Sequence, residues 1–369
     1  MQLFYTEADE VFTSGFDKLA SALRQHDQDT LLLSLNDPAQ VCVKLDKNNC
    51  ITSSGNYRLS GPAIKQLCYK TCPGLFSVVM ALSRGNNSRF LAEAATVFNT
   101  CITRFFTKNL EDTVMVANSR TKVIDGIVGR KYRRLPNAEL LDRMSESVDQ
   151  IRVGDCKPVL ESATRSGRSM FLQYNLPGLE ISASLKSGYQ DLFRLGIFIA
   201  NSEIGDGALR AAISIIRHDG LRSLSRYTRR NRIIHAGSDF NRRFHELIGF
   251  ITERLPTRSD VLGKLVRLSS ADLGFSVSNS DKRLETIVSG IKENGIASTA
   301  ARKIIHSALV QGAYDRFPVA NHGPSGGWVG KTYLDLFVAI GRYARDISSS
   351  QRERLEQLSW ELLISPLRF

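Results

Sequence analysis

No apolar run in this sequence approaches the ~18 residues that a bilayer-spanning helix requires. The opening MQLFYTEADEVF is acidic and lacks the basic and apolar parts of a secretion signal. The sequence therefore predicts a cytoplasmic protein with no membrane partner. Cysteine is sparse and irregular: Cys42, Cys50, Cys68, Cys72, Cys101 and Cys156 share no regular spacing, which in a cytoplasmic chain reads as reduced thiols. Cys68-x-x-x-Cys72 has no second Cys or His pair at metal-site spacing, so no metal is expected and small buried thiols are the better reading. Internal repeats and low-complexity tracts are also lacking.

A phosphate-binding loop is missing as well, although GPSGGWVGKT, Gly323 to Thr332, ends in the right tripeptide. Such a loop needs glycine where Ser325 stands, so that backbone amides can fold around phosphate. Only 37 residues follow Thr332, too few for the remaining strands and the magnesium-ordering Asp of a nucleotide-binding sheet. The stretch is expected to be a glycine-rich turn that releases the chain into a helix. No cofactor is expected.

What the sequence has in abundance is positive charge. Its 369 residues, 42% hydrophobic and 23% charged, suit two or three structural units with a substantial core. Lys and Arg number 49 against 37 Asp and Glu, a net of +12 that favours polyanionic partners. The excess is localised. Residues 1–60 carry five basic and eight acidic groups, a net of −3, whereas residues 210–260 hold eleven Arg and five acids, a net of +6.

Periodicity predicts an α+β protein, a central mixed sheet and hairpin core flanked by helical N- and C-terminal regions. The expected division is a mainly helical region over 1–110, an α/β core with the basic patches over 111–260, and a helical region over 261–369. Thr113 to Leu135 reads as a hairpin turning at Asn118-Ser119. Pro136-Asn137 opens a helix with Leu140, Leu141, Met144 and Val148 on one stripe. Leu195–Ala200 suits a buried strand. Leu284, Ile287, Val288 and Ile291 form a further helical stripe, Ile304, Ile305 and Leu309 another, and Tyr333 to Ile347 a third. Ser350-x-x-Glu353 offers a capping box for a last helix with Leu355, Leu358 and Leu362 inward.

RHDGLRSLSRYTRRNRIIH, Arg217 to His235, holds six Arg, no Lys and one acid. A solvated face normally mixes Lys and Glu with Arg, whereas guanidinium groups alone suit paired contacts to phosphate and stacking on bases. Helical spacing would put Arg222, Arg226, Arg229 and Arg230 on one face. The plainer alternative is a charged face with ion pairs to Asp219 and Asp239. A second cluster, Arg130-Lys131-Tyr132-Arg133-Arg134, interleaves an aromatic ring with four cations. Its plainer alternative is a basic turn with Tyr132 packed inward. His218, Asp219, His235, Asn201-Ser202-Glu203 and Asp206 could be imagined as a His and carboxylate site, but nearby arginines outnumber the acids a metal-dependent nuclease would cluster. No catalytic residue is assigned. His245, His306 and His322 have no motif around them.

Three segments together resemble an uncharacterised phage and plasmid family, domain of unknown function 932. They are Arg130-Lys131-Tyr132-Arg133-Arg134-Leu135-Pro136-Asn137, Asn201-Ser202-Glu203-Ile204-Gly205, and Lys331-Thr332-Tyr333-Leu334-Asp335-Leu336-Phe337. The last makes Gly330-Lys331-Thr332 a helix entrance. The chain departs from that family at Arg217-His218-Asp219-Gly220, where a Cys-x-Asn-Gly element is expected, and at Tyr343-Ala344-Arg345, where the helix usually ends in His. Functions that rest on those groups are not carried over. The resemblance implies a mobile-element protein, acting in the cytoplasm of a bacterial host.

The expected function is nucleic-acid binding, with single-stranded DNA favoured, and strand annealing in replication or recombination. Arg217, Arg222, Arg226, Arg229, Arg230 and Arg232 would hold the backbone, extended by Arg130, Lys131, Arg133 and Arg134, with Tyr132 or Tyr227 stacking on bases. A homo-oligomer would suit this role. The alternatives are a phage structural protein whose basic face meets a phage or host partner, and a nuclease using Asp206, Asp219, His218 or His235.

Overall fold

The computed structural model describes residues 10–35, 42–45, 50–52, 57–72, 74–84, 95–104, 112–148, 150–151, 156–184, 190–205, 207–228, 230–235, 239–275, 280–311, 332–347 and 349–364. Strands β1 (Glu10–Phe12), β8 (Val159–Ser166), β9 (Ser169–Ser184), β10 (Gln190–Ser202), β11 (Leu209–Arg217) and β12 (Arg222–Leu224) form an antiparallel sheet in that order, with β13 (Arg232–Ile233) also paired to β11. A second, mixed sheet has the order β2 (Thr30–Ser34), β6 (Thr113–Asn118), β7 (Val123–Gly129), β5 (Arg58–Leu59), β4 (Cys50–Thr52), β3 (Val43–Leu45). The α+β reading holds. The segment expected to be mainly helical, 1–110, supplies five of these strands besides helices α1 (Phe16–Gln28), α2 (Gly61–Thr71), α3 (Leu75–Arg84) and α4 (95–104).

Alternation along the large sheet sorts its two faces. Leu172 and Tyr174 on β9, Leu195, Ile197 and Ile199 on β10, and Ala211, Ile213 and Ile215 on β11 enter the main core. That core is completed by α5 (Asn137–Val148), α6 (Phe240–Arg254), α7 (Arg258–Ser270), α8 (Ser280–Glu293), α9 (Ser298–Gln311), α10 (Tyr333–Arg345) and α11 (Ser349–Ile364). The sequence YLDLFVAIG is buried throughout because α10 is enclosed on every side, which explains its lack of a polar face. The opposite sheet face carries Phe171, Phe198, Ala200, Ala212 and Leu224 in a smaller cluster. At Gly196, beside a bulge in β10, a Cβ would stand 2.2 Å from the Tyr174 carbonyl oxygen, so only glycine fits.

The expected hairpin is β6–β7, and Asn118 closes its turn by accepting from the amides of Arg120 and Thr121. Thr332 precedes α10, and the Asp335 carboxylate accepts from its amide and hydroxyl, each at 2.8 Å. Thr332 thus lies at a helix entrance as expected; Gly330 and Lys331 lie outside the described residues. The last helix begins at Ser349, one residue before the expected cap, and Glu353 pairs with Arg210 at 2.9 Å. Leu355, Leu358 and Leu362 are buried as their spacing predicts.

Arg217 to Arg232 is not a helix: Arg217 ends β11, the chain turns at Gly220 with φ +84, and Arg222–Leu224 returns antiparallel as β12. The shared helical face expected for Arg222, Arg226, Arg229 and Arg230 is therefore not formed.

Candidate nucleic-acid interface

Half of the expected arginine track is spent on internal ion pairs. Arg217 is buried, with Nε donating to Asp191 at 2.7 Å and Nη1 to Asp219 at 3.1 Å. Arg222 donates to both Glu356 oxygens, at 3.1 and 3.0 Å, while its guanidinium lies 4.1 Å from the centre of the Phe198 ring. Arg226 reaches Glu361 at 3.1 Å with its side chain 71% exposed, the geometry of a weak surface pair. The ion pair to Asp219 is the plainer alternative that the sequence offered, whereas Glu356 and Glu361 lie more than a hundred residues away on α11, beyond any local reading. Arg229 lies outside the described residues.

Both expected stacking rings are committed elsewhere. The Tyr132 hydroxyl donates to the Ser202 carbonyl at 3.0 Å and accepts from the Gly205 amide at 2.9 Å. Tyr227 packs beneath the guanidinium of Arg210, and burial raises the pKa of both phenols. Neither ring is presented to a base.

The turn that holds Tyr132 instead joins the two sheets. Arg134 donates from Nε and Nη2 to Glu203, at 3.2 and 3.0 Å, and the other Glu203 oxygen accepts from the Asn137 amide at 2.5 Å, opening α5. Arg168, in the β8–β9 turn, bonds Glu203 and also Asp125 of β7. Asn201 donates to Asn137 and to the Leu135 carbonyl. Gln66 of α2 ties the Ile204 carbonyl to the Ile127 amide. Arg130-to-Asn137 and Asn201-to-Gly205 thus bind each other in a buried polar network, which sequence pattern alone did not show.

The same turn also brings the two basic clusters together. The Arg133 amide donates to the His235 carbonyl at 2.9 Å, and the Tyr132 and His235 rings lie 5.5 Å apart. The turn that carries Arg130, Lys131 and Arg133 is thereby joined to the segment that carries Arg230 and Arg232; all five are exposed, and no described carboxylate pairs with any of them. Arg243 of α6, half-buried, donates to the Arg232 carbonyl at 3.4 Å and adds its charge to this surface. Arg243 was not singled out in the sequence; only the net charge of 210–260 pointed to it. His235 is buried beneath, its pKa lowered to about 4, chiefly by desolvation.

The imagined His and carboxylate site is not assembled. His218 bonds Asp191 at 2.8 Å beyond the Arg217 end of β11, whereas Ile233, two residues before His235, pairs with Leu209 at the other end. Asp206 lies outside the described residues, and among the described residues no three His, Cys, Asp or Glu side chains converge as metal ligands. No described helix is long and apolar enough to cross a membrane. Comparison with family models, curated proteins and solved structures returns no match.

Proposed function

We propose that this chain is a nucleic-acid-binding protein of a phage or plasmid, holding single-stranded DNA by its backbone with little sequence preference and annealing complementary strands in replication or recombination. The observation that carries this reading is the Arg133 to His235 backbone bond, which joins two cationic segments about a hundred residues apart whose Arg130, Lys131, Arg133, Arg230 and Arg232 are exposed with no carboxylate partner among the described residues. The five exposed cations sit on a turn and around a two-residue strand, which suits contact with phosphates rather than readout of base edges in a groove. The resemblance of the 130–137, 201–205 and 331–337 segments to a mobile-element family supplies the biological setting.

Titration of the full chain with fluorescent single-stranded and duplex oligonucleotides, with magnesium present, tests this directly. Five exposed cations on phosphates predict log Kd rising with log salt at a slope of about 3.5 on single strands. Absence of binding at low salt would favour a phage structural protein that meets a phage or host protein, and shortened oligonucleotide would favour a nuclease.

A further inference from the structure

The large sheet leaves part of its second face open. A groove of about 730 Å³ runs across it, floored by Phe171, Gln173 and Phe198 and walled by Arg194 with Glu161 on one side and by Arg222 and Arg352 on the other. That volume lies within the range of small-molecule sites, roughly 300–1,000 Å³. Its floor differs from a core face. Phe171 and Phe198 lie near-parallel at 6.1 Å, and the Arg222 guanidinium covers Phe198. The half-buried Phe171 is left as the ring facing the cavity.

The charges around that ring suit a nucleotide. Arg194 and Glu161 are paired at 2.6 Å, which places donors beside an acceptor at the cavity wall, the pattern a base edge can match. Glu356 accepts from both Arg222 and Arg352, and Glu353 from Arg210, so with the Arg194–Glu161 pair the cluster around the groove holds four guanidinium groups and three carboxylates, an excess of one positive charge that complements one backbone phosphate. The groove is also continuous with the basic patch. Arg232 stands directly opposite Arg210 across the β11–β13 pair, so both project from one face, and Arg210 is bonded at 2.9 Å to Glu353 on the groove wall.

We propose that this groove takes an unpaired nucleotide of the bound strand, its base stacked on Phe171 and its phosphate between Arg194 and Arg352. The proposal rests on the nucleic-acid reading above and supplies the base-stacking element that Tyr132 and Tyr227 do not. A thymidine oligonucleotide carrying one 5-iodouracil, photo-crosslinked to the full chain and mapped by mass spectrometry, is expected to attach at Phe171. Phe171→Leu is expected to raise Kd about tenfold without changing the salt slope, and Phe171→Trp to restore affinity. If crosslinks fall only in 129–134 and 230–235 and the Leu variant binds normally, the groove proposal is overturned while backbone binding stands. If the unmodified chain fails to bind at about 50 mM salt, both fall. Crosslinking needs no variant, so a poorly folding Leu protein would not shelter the proposal.

Discussion

Glu203→Gln is expected to destabilise the fold by about 1.5–3 kcal/mol, the cost of losing charge-assisted hydrogen bonds at a buried site, while Arg168 keeps Asp125 and Arg134 keeps Asp27 as partners. Glu203 and Arg168 expose only 3% and 2% of their side chains, so water cannot take over the lost contact. The carboxylate serves three groups at once: Arg134, Arg168 and the first amide of α5. Gln keeps the shape but offers one oxygen, and turns an amide donor toward a guanidinium or a backbone N–H. Because these partners come from the 130–137 turn and from the β8–β9 turn that reaches β7, the loss is expected to loosen the junction between the two sheets. Urea unfolding at neutral pH measures it, and a change below about 1 kcal/mol would show that the network is dispensable.

Acid is expected to weaken the protein well before its carboxylates titrate. Burial, reinforced by Arg168, Arg165 and Arg134, lowers the pKa of His26 to about 3, and burial lowers that of His235 to about 4. Nδ1 of His26 faces an Arg165 nitrogen at 3.2 Å, a contact that requires the ring nitrogen to accept and the ring to be neutral. Neither His235 nitrogen has a hydrogen-bond partner among the described residues. Both rings thus stay neutral in the fold while the unfolded chain begins to take up protons near the ordinary pKa of 6.5. Their contribution is complete above that pH and is lost on acidification toward 4 for His235 and 3 for His26. At pH 5 the two together predict a loss of about 4 kcal/mol relative to pH 7.5. Urea midpoints at the two pH values check it, and His26→Gln with His235→Phe is expected to flatten the difference. An equal acid loss in that double variant would assign the effect elsewhere.

Local pattern was enough wherever one element packs by its own periodicity. The β6–β7 hairpin, the stripe of α5 and the inward leucines of α11 all lie where their spacing puts them. Pattern failed for Arg217 to Arg232, where arginines at helical spacing sit on a strand, a turn and a short return strand. Gly220 and the Asp219 turn outweigh that spacing, and what fixes Arg222 is Glu356, 134 residues later. The basic surface was legible in composition, but its membership was not. Arg217 is neutralised by Asp191 and the adjacent Asp219 and Arg222 by the distant Glu356, while the segments of Arg133 and Arg232 are joined through one backbone hydrogen bond from Arg133 to His235.

The shared basic surface is expected to neutralise phosphates. Converting Arg130, Arg133 and Arg232 together to Ala, and measuring single-strand binding across salt concentrations with the fold checked by circular dichroism, tests it most directly. Weaker binding at low salt is expected, with a slope reduced by about 2, close to 0.7 for each phosphate contact removed. An intact fold with the original affinity and slope would contradict it.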